Sequence, residues 1–134
     1  LGISQLAKLD KTIAKRQENA KYLSSRLSKF SQIQTPHVPH GYSHIYQMYV
    51  IRLENQEIRN KLHDFLLKKK IFSKVYFHPI HLTDFYKKKF GYKENSLPIT
   101  ERISQQVLTL PLYPNMENEE KQYLIESIGE FFEN

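Results

Sequence analysis

Cysteine is absent from this chain, which excludes a disulfide framework, a thiolate zinc site and a cysteine nucleophile, and fits an ordinary reducing compartment. A cytoplasmic location is the default expectation. Glycine is scarce, four in 134 residues, and no glycine-rich loop of the kind that cradles phosphate is present. No serine stands in a G-x-S-x-G elbow. No apolar run approaches the ~18 to 20 residues that cross a bilayer, and the stretch after Leu1 lacks the layout of a signal peptide. The expectation is a soluble chain with no membrane partner and no catalytic motif complete in itself.

What is present suits one domain. A length of 134 residues with 40% hydrophobic residues supports a single core and is too short to expect two. The chain begins at Leu1 in what reads as the middle of an amphipathic helix, so the natural start is expected upstream. The formal charge of +6 and a pI near 9.4 raise the possibility of an anionic partner. The cations, however, cluster as Lys68, Lys69, Lys70 and as Lys87, Lys88, Lys89. Each triplet closes a predicted helix, where the macrodipole favours positive charge by about 0.3 to 1 kcal/mol per residue.

Hydrophobic spacing gives the order of elements. Ile3, Leu6, Leu9, Ile13, Ala20, Leu23, Leu27 and Phe30 fall mostly three and four apart, predicting one long helix over 3–30. At 1.5 Å per residue it would run ~42 Å, longer than a small core needs, so it is expected to connect to another domain. The stretch QTPHVPHGY (34–42) reads as a loop. HIYQMYVIRL (44–53) reads as a strand covered on both faces. A helix capped by Asn55 follows, with Ile58, Leu62, Phe65 and Leu66 inward. A strand over 71–77 is stopped by Pro79, a short helix ends at Gly91, a weak helix covers 99–106, and VLTLPL (107–112) is a further strand. A closing helix is capped by Asn115 or Asn118 and carries Leu124, Ile128 and Phe131. The fold class is therefore α+β in two layers: a small, mostly antiparallel sheet of three to four strands, covered by helices mainly on one face. Residues 1–30 would be the connecting helix and 31–134 the sheet-and-helix core.

Six histidines invite a metal site, because His37 and His40, and His78 and His81, each have the H-x-x-H spacing. That spacing aligns two imidazoles only on a regular helix. Pro39 and Pro79 lie inside the two motifs, and no carboxylate pattern completes either, so no metal is expected.

Three stretches, in order, resemble the DegT/StrS-type sugar aminotransferases. LGISQLAKLDKTIAKRQENAKYLSSRL resembles the helix leaving the large domain of that family, with its G-x-x-Q-L-x-K-L-D, an Arg, an N-A pair and Y-x-x-x-L. KVYFHPIHLTDFY is similar to V-H-Y-x-P-L-H-L-x-x-x-Y. SLPITERISQQVLTLPLYPNMENEE resembles P-x-x-E-R followed by L-x-L-P-L-x-P-x-M-x-x-E-E. The resemblance implies the C-terminal small domain of a fold type I enzyme. Such an enzyme uses pyridoxal phosphate to move an amino group, usually from glutamate, onto a nucleotide-linked keto sugar. It further implies a homodimer, with the Schiff-base lysine and the cofactor contacts in a large domain outside this chain, so no lysine here is catalytic and no cofactor is expected on this piece alone. By motif matching, His81 falls on the family's histidine, Phe77 on its tyrosine and Pro79 on its proline. Tyr76 and Gln47 stand where the family commonly has histidine, and His44 fits the pattern around Gln47. His81, Phe77, Tyr76, His44 and Gln47 are thus the substrate-pocket candidates.

Two readings compete with this one. A basic module binding nucleic acid or another polyanion follows from the net charge, although Phe30, Tyr49, Phe65 and Phe131 fall at core positions and no recognition-helix or RNP-like pattern is present. The resemblance itself implies no nucleic-acid partner. An interaction domain pairing through the first helix is the third reading, and it overlaps the first.

Overall fold

The computed structural model describes residues 2–133. The periodic segments become α1 (Gly2–Leu6), α2 (Leu9–Leu27), α3 (Gln56–Lys68), α4 (Asp84–Phe90), α5 (Pro98–Gln106) and α6 (Asn118–Glu133), with strands β1 (Tyr49–Arg52) and β2 (Val107–Leu110). The strands pair antiparallel, Tyr49 opposite Leu110 and Ile51 opposite Leu108. This register puts those four buried side chains on one face. Against them pack Leu23 and Leu27 of α2, Leu62 and Leu66 of α3, and Leu124 and Ile128 of α6, forming one apolar cluster. The mixed, two-layer class expected from the sequence is the one observed.

The sheet is smaller than three or four full strands. Its outer rows are single antiparallel bridges, Gln34 to Arg52 beside β1 and Lys74 to Thr109 beside β2. The predicted strand over 71–77 shrinks to the two bonds of Lys74, whose N–H reaches Thr109 O at 2.9 Å and whose carbonyl accepts from Thr109 N at 2.8 Å. The predicted strand over 44–53 loses its first half because its backbone groups are held elsewhere. Arg16 Nη1 donates to Tyr46 O at 2.8 Å and to Gln47 O at 3.2 Å, and Tyr46 takes a left-handed φ of 48°. Nor is β1 covered on both sides: Val50 and Arg52 are half-buried, and Arg52 Nε donates to Gln106 Oε1 at 2.8 Å.

The first helix also differs from the continuous rod over 3–30. Lys8 N–H bonds three residues back to Gln5 O, and α1 buries no residue that would hold it in line with α2. Ile3 and Leu6 are consequently exposed. At the other end, Asn55 caps α3 as expected, its side chain accepting from Ile58 N at 3.0 Å. The cap expected from Asn115 or Asn118 is replaced. Asn115 Oδ1 accepts from Lys15 Nζ, Asn118 is already the first residue of α6, and Glu120 reaches back to Glu117 N at 2.7 Å. Near the middle of α2, Asn19 stitches three elements together: its Nδ2 donates to Tyr113 O at 2.9 Å and its Oδ1 accepts from Lys121 Nζ of α6. Ala20 beside it is fully buried, small enough to let the layers approach.

Candidate functional site

After Lys74 leaves the sheet, Pro79 stops any strand and opens a 3-10 turn, Ile80–Leu82. The turn carries His81 inward, 6% exposed. Beyond it, α4 is a two-turn helix with no buried residue, ended by Gly91 at φ 71°, where a residue without Cβ fits the left-handed stop. Residues 92–97 then loop back to α5, which starts at Pro98 in the position where a missing N–H costs nothing.

Glu101, in the first turn of α5, ties these pieces together. Its Oε1 lies 2.9 Å from His81 Nε2 and accepts from Leu97 N at 3.1 Å, while Oε2 accepts from Asn95 N at 2.9 Å. The Asn95 N–H, then the His81 contact, hold its carboxyl below the usual carboxylate range. Tyr92 stands edge-on to the His81 ring with centroids 5.8 Å apart.

Between the turn, α4 and α5 lies an open groove of about 480 Å³, walled by Phe77, Pro79, Ile80, Tyr86, Phe90, Tyr92 and Leu97, with His81 among the few polar residues. A wall of rings with few polar groups suits a ligand that has an apolar face and one or two directional hydrogen bonds. A second, more polar cavity of about 670 Å³ shares Phe77, His78, Pro79 and Ser104 with the groove and includes Arg59 and Glu101.

The five candidates do not meet in one place. Phe77 and His81 line the groove, Phe77 exposed and His81 buried. Tyr76 is half-buried and packs on Phe77 at 4.8 Å. His44 lies in another cleft, of about 630 Å³, between α2 and the 35–46 loop; its Nδ1 accepts from Tyr46 N at 3.0 Å. The lining of that cleft has no residue in common with the groove or the cavity beside it. Gln47 is exposed, and its carbonyl is the group bound by Arg16. Glu101 and Tyr92 were not among the candidates. The P-x-x-E-R motif contained Glu101, but as an acid in a first helical turn it reads equally as dipole chemistry; nothing in the sequence marks Tyr92 beyond its following a glycine.

Nothing in the groove fits a covalently held pyridoxal phosphate. Among the described residues no lysine lines it, and the nearby N–H groups of Asn95 and Leu97 are already given to Glu101.

Comparison with known proteins gives the family. The spore coat polysaccharide biosynthesis protein SpsC of Bacillus subtilis is 29% identical over 132 residues, covering 96% of this chain and 34% of SpsC. GDP-perosamine synthase of Escherichia coli O157:H7 is 28% identical, covering 98% of this chain and 35% of that protein. Among solved structures, DesV of S. venezuelae, in complex with a ketimine intermediate, superimposes with a TM-score of 0.87 at 27% identity, over 96% of this chain and 34% of DesV. The chain thus spans about a third of the length of these relatives. Residues 1–129 match the model of the DegT/DnrJ/EryC1/StrS aminotransferase family, and the chain belongs to that family.

Proposed function

We propose that this chain is the C-terminal small domain of a pyridoxal-phosphate-dependent sugar aminotransferase. The complete enzyme would move an amino group from an amino acid, glutamate by expectation, onto a nucleotide-linked keto sugar for cell-surface polysaccharide or related amino-sugar synthesis. The same reading carries a homodimeric, cytoplasmic enzyme. The observation behind it is convergence: residues of the middle and last family-like motifs, 20 apart in sequence, meet in the His81–Glu101 contact, His81 lining the aromatic groove and Glu101 the cavity beside it. SpsC and GDP-perosamine synthase, similar over nearly the whole chain, support the sugar and nucleotide parts.

In this reading the cofactor supplies the electron sink from residues outside this chain. The chain's own contribution is to wall the sugar side, with Phe77, Tyr86 and Tyr92 excluding water and His81 offering a directional contact. His44 and Gln47, on the far loop, would serve a different surface of the assembled enzyme. The test is to prepare the full-length protein and this chain separately. The full-length protein should hold a borohydride-reducible cofactor and aminate a nucleotide-linked keto sugar with glutamate, whereas the chain alone should hold none. A full-length protein lacking a lysine-linked cofactor would falsify the reading.

A further inference from the structure

We infer that Glu101 is a positioning residue that presents His81 to the groove as a hydrogen-bond acceptor, so that the groove selects a ligand hydroxyl and not an anion. That the hydroxyl belongs to a sugar rests on the function proposed above; the state of the ring does not.

The argument starts from proton counting. The Glu101 carboxylate receives N–H groups from Asn95, Leu97 and His81. Ionised, it has no proton to return, so His81 Nε2 must carry the hydrogen. A neutral imidazole has one N–H only, and its other nitrogen is then an acceptor. Nδ1 of His81 is bonded to no group among the described residues, and no buried side-chain nitrogen or oxygen there lacks a partner. Nδ1 is therefore reachable by solvent, on a ring that lines the groove. The hydroxyl of Ser104, another polar group of that wall, is already donated to Glu101 O at 2.7 Å. A carboxylate 2.9 Å behind the ring also sets the sign: it opposes an anion in front of the ring and leaves a hydroxyl donor unpenalised.

Glu101 does more than orient one ring. By holding Asn95, which sits at a left-handed φ of 67°, and Leu97 at the start of α5, it fixes the middle and the end of the short segment after Tyr92. Leu97 and Tyr92 are themselves groove walls. One carboxylate thus sets both the polar contact and the shape.

The decisive measurement is long-range ¹H–¹⁵N correlation of the imidazoles of this chain over a pH series, read on the neutral form of the ring. His81 should show a protonated Nε2 and a bare Nδ1, the Nε2–H form in excess on the order of tenfold, as one hydrogen bond to a charged group would impose. Glu101→Gln, which keeps an acceptor oxygen but removes the charge, should reduce that excess several-fold while core methyl shifts of Ile51 and Leu62 stay in place. An Nδ1–H ring in the unmutated chain overturns the proposal without any variant. In the full-length protein, Glu101→Gln should raise KM for the nucleotide sugar about tenfold, the loss expected for one charge-supported hydrogen bond, and leave KM for the amino donor unchanged. An unchanged sugar KM together with a lost tautomer preference overturns the hydroxyl assignment. Absence of any amination by the unmutated full-length protein instead overturns the proposed function and leaves the ring measurement standing.

Discussion

Tyr49 is the largest fully buried side chain of the core, and its hydroxyl sits 2.8 Å from Ser24 Oγ of α2. Burial is the main reason its pKa is pushed from 10.0 to about 12. The folded state therefore holds this proton more tightly than the unfolded chain does. The stability it contributes is complete below pH 10 and is lost as pH climbs towards 12, in total on the order of 2 to 3 kcal/mol. Tyr113 is raised to about 12 in the same direction by its bond to the Glu120 carboxylate. Tyr49→Phe should cost about 1 kcal/mol at neutral pH and remove part of the alkaline loss; urea titrations at pH 7 and near pH 11 measure both. An alkaline loss identical to that of the parent would show that Tyr49 does not carry it. At this scale the sequence was informative where a side chain repeats a pattern and silent where it acts through partners. Tyr49 is legible as an inward residue of an apolar run, and His81 as a histidine after a proline. Glu101 is not, because its role depends on Asn95 and Leu97 folding back, which no spacing encodes.

The helices show where an element ends and why. Ile71 N–H bonds to Leu66 O at 2.9 Å and Lys70 N–H to Leu67 O at 2.9 Å, the paired bonds of a Schellman turn closing α3. The residue at its centre, Lys70, takes φ 61°, where an L side chain costs about 1 to 2 kcal/mol and glycine costs nothing steric. Lys70→Gly should therefore stabilise the chain by about 0.5 to 1 kcal/mol, the strain relieved less glycine's greater freedom when unfolded. Lys70→Ala, which removes the same charge but keeps Cβ, should change stability by less than about 0.5 kcal/mol. Equal effects from the two substitutions in thermal melts would assign the change to charge instead of backbone. The same turn explains why the end of α3 is legible only as a run of cations: Lys68 does lie in the last turn, but the left-handed position that stops the helix is taken by Lys70 and not by a glycine. Strand lengths were harder still. Sequence alternation cannot reveal that Arg16 takes the carbonyls of Tyr46 and Gln47 before β1 begins, or that only Lys74 of the 71–77 run meets β2.

Over the whole molecule, apolar surface is divided unevenly between a closed core and a bare N-terminal end. Leu23 and Leu27 are fully buried, whereas Ile3, Leu6 and Leu9, on the same sequence stripe, are 88%, 68% and 46% exposed. The periodicity of the stripe is helical; what it does not encode is that only the second half has something to pack against within these residues. Removing residues 1–8 from this chain should consequently leave its unfolding free energy unchanged within about 0.5 kcal/mol, while Leu23→Ala should cost about 2 to 5 kcal/mol through the cavity it leaves. The contrast sharpens in the full-length protein. If the proposed large domain covers this end, the double substitution Ile3→Asp and Leu6→Asp, neutral in the chain alone, buries two carboxylates in the assembled enzyme and should lower its unfolding midpoint and loosen its cofactor. Differential scanning calorimetry on both proteins reads the outcome directly. Equal indifference in chain and full-length protein would mean that α1 faces solvent in the enzyme too, and that the connection between the domains is made by α2 alone.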